Sequence, residues 1–166
     1  MKHTISALVD NKAGVLARIS GLFARRGFNI DSLAVGTSGD PEVSRVCIIV
    51  DGDDYVAEQV TRQLDKLINV RKVKVLDEKS LTSRELVLVK VNVGVSKRSE
   101  IIDIARIMSA DIVDISHDTL TLEFSGKTEK VDQLIDLLSK YDILEVTRTG
   151  TIALQKGQAT IHDPYE

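Results

Sequence analysis

The sequence is poor in the residues that build several common kinds of functional site. Its 166 residues include one cysteine, no tryptophan, two prolines, three phenylalanines and three tyrosines. The single cysteine, Cys47, excludes an internal disulfide framework and a metal cage built from cysteines. No apolar run approaches the roughly 20 residues needed to span a bilayer, so we expect no membrane association.

The charges show no strong bias of either sign. There are 22 Lys and Arg residues against 25 Asp and Glu residues, a formal net charge of −3. A basic footprint for nucleic acid is therefore absent, and we expect no nucleic-acid partner. The chain enters a strand-like pattern directly after Met1, so no signal peptide is expected. These features predict a protein of a reducing compartment, the cytoplasm, or a plastid if the source is a photosynthetic eukaryote.

The first half of the chain has the pattern of four strands and two helices. Apolar residues alternate over residues 4–9, as in a half-buried strand. After Gly14 they recur at the spacing of an amphipathic helix, which two arginines and Gly27 terminate. The predicted strands are 4–9, 28–36, 43–50 and 70–76, and a second helix starts near Val56. The order is βαββαβ, the ferredoxin-like unit.

The second half repeats this order. Four valines of strand 85–93 fall on one face, and Leu86 and Leu88 fall on the other, so we expect both faces to be partly covered. Two amphipathic helices follow, with apolar stripes starting at Ile101 and Val131. The other predicted strands are 111–116, 120–124, 144–147 and 152–154. The fold class is therefore α+β, with two ferredoxin-like βαββαβ domains.

The first strand–helix turn is the most informative segment for function. Asn11 and Gly14 precede the first helix, whose N-terminal N–H groups can bind an anion such as a carboxylate. Gly14 has no Cβ, which would let a ligand approach the backbone. Asn11 offers both a donor and an acceptor. The structural alternative is that Asn11 caps the helix and Gly14 only allows a turn.

Four segments together carry a family resemblance. They are residues 11–16 (NKAGVL), 22–30 (LFARRGFNI), 84–91 (RELVLVKV) and 148–150 (RTG). The first segment resembles an ACT domain. The other three more narrowly resemble the small regulatory subunit of acetohydroxyacid synthase, also called acetolactate synthase, over about residues 2–155.

The resemblance implies a division of the chain and a function. It implies an ACT domain at 1–77, a linker at 78–84, a ferredoxin-like domain at 85–155 and a flexible tail at 156–166. It also implies a non-catalytic subunit that binds and activates the catalytic subunit and confers feedback inhibition by valine. Thiamine diphosphate, Mg²⁺ and FAD are expected on that catalytic partner, and no cofactor on this chain.

The resemblance further implies an effector site shared between two copies, which pair through their ACT domains. A branched-chain amino acid, most often valine, would lie between the helix start of one copy and the second strand of the other. The helix start would take the carboxylate, the asparagines would take the ammonium and carboxylate, and apolar side chains would bury the isopropyl group. The implied site residues are Asn11, Ala13, Gly14, Val15, Leu16, Asn29 and Ile30.

Other kinds of site have weak support. His3, His117 and His162 lack metal-ligand spacing, and residues 51–54 lack the length and terminal Glu of a calcium loop. No catalytic constellation is present, so we do not expect an enzyme. An RNA-recognition module shares the βαββαβ order but needs aromatic residues on its central strands. A small phosphate-handling enzyme on this fold, or an amino-acid sensor for another enzyme, are the remaining alternatives.

Overall fold

The computed structural model describes residues 1–163, and they divide into two compact units. The first unit contains residues 1–82 together with the C-terminal segment from Thr151, and the second contains residues 83–150. No helix in the described part of the chain is long and apolar enough to cross a membrane.

The first unit is a four-stranded antiparallel sheet with two helices. The elements are β1 (Lys2–Asp10), α1 (Val15–Arg26), β2 (Ile30–Thr37), β3 (Val43–Asp51), α2 (Asp54–Asp65) and β4 (Val70–Leu76). The strands lie in the order β2-β3-β1-β4, the order expected for a ferredoxin-like βαββαβ unit. Strand β2 begins two residues later than predicted, because the α1 terminus occupies the preceding residues: Gly27 adopts φ 68° and the Phe28 N–H donates to the Phe23 carbonyl at 3.1 Å.

Alternation along β1 gives this sheet two different faces. Ile5, Ala7 and Val9 pack with α1 and α2 in the main core of the unit. Leu8 points to the other face, where it forms a separate buried cluster with Val43 and Ile161. Both faces of the first sheet are therefore covered, the second one by the C-terminal segment.

The second unit repeats the same strand order. Its elements are β5 (Leu81–Asn92, which begins in the first unit), α3 (Arg98–Met108), β6 (Asp111–Ile115), β7 (Thr119–Gly126), α4 (Thr128–Leu138) and β8 (Asp142–Arg148). Its sheet is β6-β7-β5-β8, and its core consists of apolar residues from β5, β7, α3 and α4. The C-terminal segment of the first unit contains β9 (Ile152–Gln155). Two βαββαβ halves confirm the predicted fold class.

The compact units are divided at points that differ from the predicted domain bounds. Strand β5 already begins at Leu81, within the predicted linker 78–84, and the first division between the units falls inside that strand. After Gly150, within the predicted domain 85–155, the chain returns to the first unit, where the Thr151 N–H donates to Ser32 Oγ at 2.9 Å. The predicted domain bounds stay a prediction.

The tail predicted to be flexible is attached to the first unit at particular residues, although most of its described residues are exposed. The Lys156 N–H donates to the Ser80 carbonyl at 2.7 Å, and Ile161 is 5% exposed. Residues 156–163 have no apolar pattern long enough to indicate a strand or a helix. Their contacts therefore could not be predicted from the sequence. The last part of the predicted tail, residues 164–166, lies outside the described residues.

Candidate functional site

The site residues at the β1–α1 turn are held by the loop between β2 and β3. The Asn11 N–H donates to the Glu42 carbonyl, and the Asn11 side-chain amide donates to the Pro41 carbonyl, both at 2.8 Å. Asn11 is not the helix cap of the structural alternative, because the cap residue of α1 is Gly14 and no side chain accepts a hydrogen bond from its first N–H groups. Its carbonyl oxygen Oδ1 accepts no hydrogen bond within residues 1–163, which leaves an acceptor at an exposed position.

Gly14 occupies the cap position of α1 in a backbone conformation that favours glycine. Its φ is +84°, in the left-handed region, and a Cβ built there would meet no atom within 4 Å. The helix start is therefore open to a ligand. The N–H groups of Leu16 and Ala17 belong to the first turn, where the helix itself provides no acceptor.

The electrostatics of this helix start favour an anion. Of the four helices in residues 1–163, α1 alone has neither a side-chain cap nor an acidic residue in its first turn. By contrast, α2 is capped by the Asp53 carboxylate, which accepts from the Val56 N–H at 2.9 Å. The partial positive charge at the start of α1 is thus uncompensated, and Lys12 lies beside it in the sequence.

The nearest acidic residue in the sequence, Asp10, is neutralised by groups that lie far away along the chain. Its carboxylate accepts from Arg71 Nε at 2.7 Å and from the Asn69 side-chain amide at 3.1 Å. These two hydrogen bonds lower the pKa of Asp10 below its usual value, and the bond from Arg71 has the larger effect. A charge that would repel an incoming carboxylate is therefore paired. Nothing in the local sequence of the turn points to either partner.

The structure brings together only part of the predicted site. Asn11, Ala13, Gly14 and Leu16 are exposed around the start of α1. Val15 lies there too, but its side chain is 6% exposed and packs in the main core. Within one chain it therefore offers a ligand its backbone and not its side chain, so the predicted apolar contacts of the effector would come from Leu16 and Ile30.

Asn29 and Ile30 lie beyond the other end of α1. The helix has 12 residues, which corresponds to about 18 Å at 1.5 Å per residue. The exposed Asn29 side chain donates to Asp31 Oδ1 at 3.1 Å, and Ile30 is half-buried against the main core. Within one chain these residues do not join the helix start, so the predicted site would be complete only with a second copy.

The fold also argues against the RNA-recognition alternative. Such modules bind nucleotides on an exposed sheet face that carries aromatic side chains. In the first unit the face opposite the helices is covered by the C-terminal segment, and β1 and β3 contain no aromatic residue. On the second unit, the corresponding face is lined by polar and charged residues with Leu88.

The sequence of the chain matches two known family models, one for each half. Residues 5–72 match the model of the AHAS small subunit-like ACT domain, so the first unit contains an ACT domain. Residues 84–157 match the model of the small subunit of acetolactate synthase. The chain belongs to the acetolactate synthase small-subunit family.

Relatives along nearly the whole length agree with this assignment. A protein of Archaeoglobus fulgidus named probable acetolactate synthase small subunit is 50% identical over 157 residues, which is 95% of this chain and 98% of the relative. The acetolactate synthase small subunit of Mycolicibacterium smegmatis is 44% identical over 155 residues, covering 93% of this chain and 91% of the relative.

A solved structure supports the fold. The crystal structure of the acetolactate synthase small subunit from Thermotoga maritima superposes with a TM-score of 0.90 at 38% sequence identity. The match covers 96% of this chain and 99% of that one. The family resemblance inferred from the four sequence segments is therefore confirmed.

Two of those segments serve the structure of the second unit. Glu85, from the RELVLVKV segment, is 4% exposed and accepts two hydrogen bonds from Arg148 of the RTG segment. Next to them, the Thr149 N–H donates to the Leu86 carbonyl at 3.0 Å. The residues that carry the resemblance here join β5 to the end of β8, and we assign them no role in ligand binding.

Proposed function

We propose that this chain is the regulatory subunit of an acetohydroxyacid synthase, which binds and activates the catalytic subunit and makes it sensitive to valine. The family assignment supports the pairing with a catalytic subunit. The open, uncapped start of α1 at Gly14 is the observation that most directly supports an amino-acid effector. In this proposal thiamine diphosphate, Mg²⁺ and FAD belong to the catalytic subunit, and this chain supplies regulation only.

The effector would bind with its carboxylate at the start of α1. Backbone N–H groups at a helix start bind carboxylates, and the pairing of Asp10 with Arg71 removes the nearest competing charge. The Asn11 carbonyl oxygen is available for the ammonium group. Leu16, 45% exposed, would cover part of the isopropyl group together with Ile30 of a second copy.

The second copy would pair along the β2 edge of the first sheet. Strand β2 is the outermost strand next to β3, so its outer backbone groups are available for pairing. Two apolar side chains of this unit are exposed to solvent: Val35 on β2, which is 46% exposed, and Leu16 on α1, which is 45% exposed. An interface along this edge would remove apolar surface from water and bring Asn29 of one copy towards the helix start of the other. Effector binding and pairing would then stabilise each other.

Inhibition requires that valine bind the inhibited arrangement of the holoenzyme more tightly than the active one. Couplings of this kind are typically about 1–3 kcal/mol, a factor of about 5–150 in affinity. Because such coupling is reciprocal, conditions that favour the active arrangement should weaken valine binding by the same factor.

The test is acetolactate formation by the purified catalytic subunit, with and without this chain, across a valine titration. We expect the chain to raise the rate, and valine to inhibit only when the chain is present. Leucine and isoleucine titrations in parallel establish which branched side chain acts. An unchanged rate at every ratio of the two subunits, with complex formation confirmed by size-exclusion chromatography, would contradict the proposal.

A further inference from the structure

Strand β6 is the outermost strand of the second sheet, and its outer edge has no partner strand within residues 1–163. It is bonded to β7 on one side, and no strand lies on its other side. All five of its residues are exposed. The backbone N–H and C=O groups along such an edge can pair with a strand of another chain. The edge belongs to the second unit and shares no residue with the β2 edge or the α1 site.

The core face of the second sheet extends to this edge through two isoleucines. Ile112 and Ile115 of β6 are paired with Leu122 and Leu120 of β7, which are buried in the core. Ile112 is 37% exposed and Ile115 is 61% exposed. A strand added to β6 with apolar residues on this face would remove their surface from water.

The opposite face of β6 carries only acidic side chains. Asp111 is paired with Glu123 of β7, and Asp114 is paired with Thr121, so two carboxylates lie directly opposite each other. Like charges in this position destabilise a sheet. Neither β6 nor β7 contains a lysine, an arginine or a histidine, and these carboxylates form no ion pair within residues 1–163. A basic side chain placed beside them would relieve the repulsion.

Basic residues elsewhere on this face do not reverse its charge. Arg84 and Lys90 lie on β5, which β7 separates from β6. Lys90 is itself paired across the strands with Glu145 of β8. The two basic residues are outnumbered by the acidic residues that pairing places on the same face, which are Asp111, Asp114, Glu123, Asp142 and Glu145.

The same charges oppose pairing with a second copy of this chain. Asp111 and Asp114 are the residues of β6 that share the face of Glu123 and Thr121. Two β6 strands paired with their core faces matched would therefore place aspartate opposite aspartate, which is unfavourable. A register shift at Val113 also interrupts the regular strand. These features protect the edge against self-association, whereas a basic strand meets complementary charge.

We propose that the β6 edge is a docking surface for a strand of a partner protein in which lysine or arginine residues alternate with apolar residues. The basic side chains would lie beside Asp111 and Asp114, and the apolar ones would pack on Ile112 and Ile115. Backbone hydrogen bonds between the two strands would supply affinity, and the alternation of side chains would supply specificity.

The catalytic subunit is the partner to which we assign this strand. The inference thus rests on the proposed function and names the docking surface for it. The proposed valine site lies in the first unit and the β6 edge in the second. Substitutions on β6 should therefore change the affinity between the subunits, while the complex formed at saturating chain still responds to valine.

The experiment combines the full chain with the purified catalytic subunit. Amide hydrogen exchange of residues 111–115 is recorded for the chain alone and in the complex. The concentration of chain that gives half-maximal activation of acetolactate formation is measured for the natural sequence, for Asp111→Lys and for Asp136→Lys. Asp136 is the matched control, because it is an exposed aspartate of the same unit that lies on α4 and undergoes the same change of charge.

We expect residues 111–115 to exchange more slowly in the complex than in the free chain. Asp111→Lys should raise the half-maximal concentration about tenfold, because the lysine repels the basic strand. It should also make the free chain more resistant to urea, because an attraction to Glu123 replaces a repulsion. Asp136→Lys should leave the half-maximal concentration unchanged. Weaker docking of a more stable chain separates a role in docking from damage to the fold.

Three results would overturn the docking surface while activation by the natural chain still supports the proposed function. They are unchanged exchange of residues 111–115 in the complex, equal half-maximal concentrations for Asp111→Lys and the natural chain, and an equal loss in Asp136→Lys. Exchange of residues 111–115 that slows as the free chain is concentrated would assign the edge to a second copy and also overturn the proposal. Absence of any complex with the natural chain would contradict the proposed function itself, and this inference with it.

Discussion

Arg148 and Glu85 form a two-point ion pair within the second unit. Arg148 Nε donates to Glu85 Oε1 at 2.6 Å, and Nη2 donates to Oε2 at 3.0 Å. A third bond joins Nη1 to Asp132 Oδ1 at 2.9 Å, which ties α4 to the same group. The hydrogen bonds that Arg148 donates to Glu85 raise the pKa of Arg148 above its usual value, so the guanidinium stays charged. Glu85 is 4% exposed, so the ion pair with Arg148 offsets the cost of burying its carboxylate.

Replacing Arg148 should destabilise the second unit. Arg148→Ala leaves a buried carboxylate without its partner, and we expect a loss of about 3 kcal/mol in the free energy of unfolding. The exposed third of the Arg148 side chain keeps the value at the lower end for such pairs. Urea unfolding measures the loss. The control is Arg84→Ala, an exposed arginine whose hydrogen bond goes to the adjacent Ser83 carbonyl, and it should change stability by less than about 0.5 kcal/mol.

Gly14→Asp should abolish inhibition by valine while the chain remains folded. It places a carboxylate where the effector's carboxylate is proposed to bind, and like charges repel. A Cβ at this position meets no atom within 4 Å, and a negative charge at a helix start offsets part of the strain of φ +84°. Acetolactate formation across a valine titration measures the effect.

Gly14→Asn is the matched control for that variant. It has nearly the same size and tolerates the left-handed conformation, but it carries no charge. It should retain more valine sensitivity than Gly14→Asp. Full sensitivity in a folded Gly14→Asp variant would show that the effector binds elsewhere.

Asn29→Ala should weaken valine binding by about 1–3 kcal/mol, the cost of leaving a charged ligand group without its partner. Isothermal calorimetry measures the dissociation constant. Within one chain the Asn29 side chain contacts Asp31 at an exposed position, so folding should be unaffected. Asp31→Ala removes that contact and keeps Asn29, which separates a direct role from an indirect one. A dissociation constant unchanged in Asn29→Ala would remove this residue from the site.

Ile161→Ala should lower the free energy of unfolding of the first unit by about 2 kcal/mol. The side chain is 5% exposed and packs with Leu8 and Val43, so truncation leaves a cavity at this contact. Urea unfolding and hydrogen exchange of residues 157–163 measure the loss. The control is Ile68→Ala, because Ile68 is 89% exposed and should change stability by less than about 0.5 kcal/mol. Equal stability of the two variants would contradict the packing of the C-terminal segment.

The sequence alone determined the repeated βαββαβ order and the family. Strand and helix periodicities are local, so alternation near Ile5 and the helical stripe ending at Gly27 were sufficient to place those elements. The turn containing Asn11 and Gly14 was also recognisable, because the residues that open a helix start lie next to each other in the chain.

Tertiary structure decided what surrounds these elements. Asn11 is held by Pro41, and Asp10 is neutralised by Arg71, partners that lie 30 and 61 residues away and leave no mark in the local pattern. The second face of the first sheet is covered by the segment around Ile161, which the sequence predicted to be a loose tail. Contacts of this kind depend on which distant segments pack against each other. Burial of apolar surface stabilises the position of any segment that reaches the sheet, whatever its place along the chain.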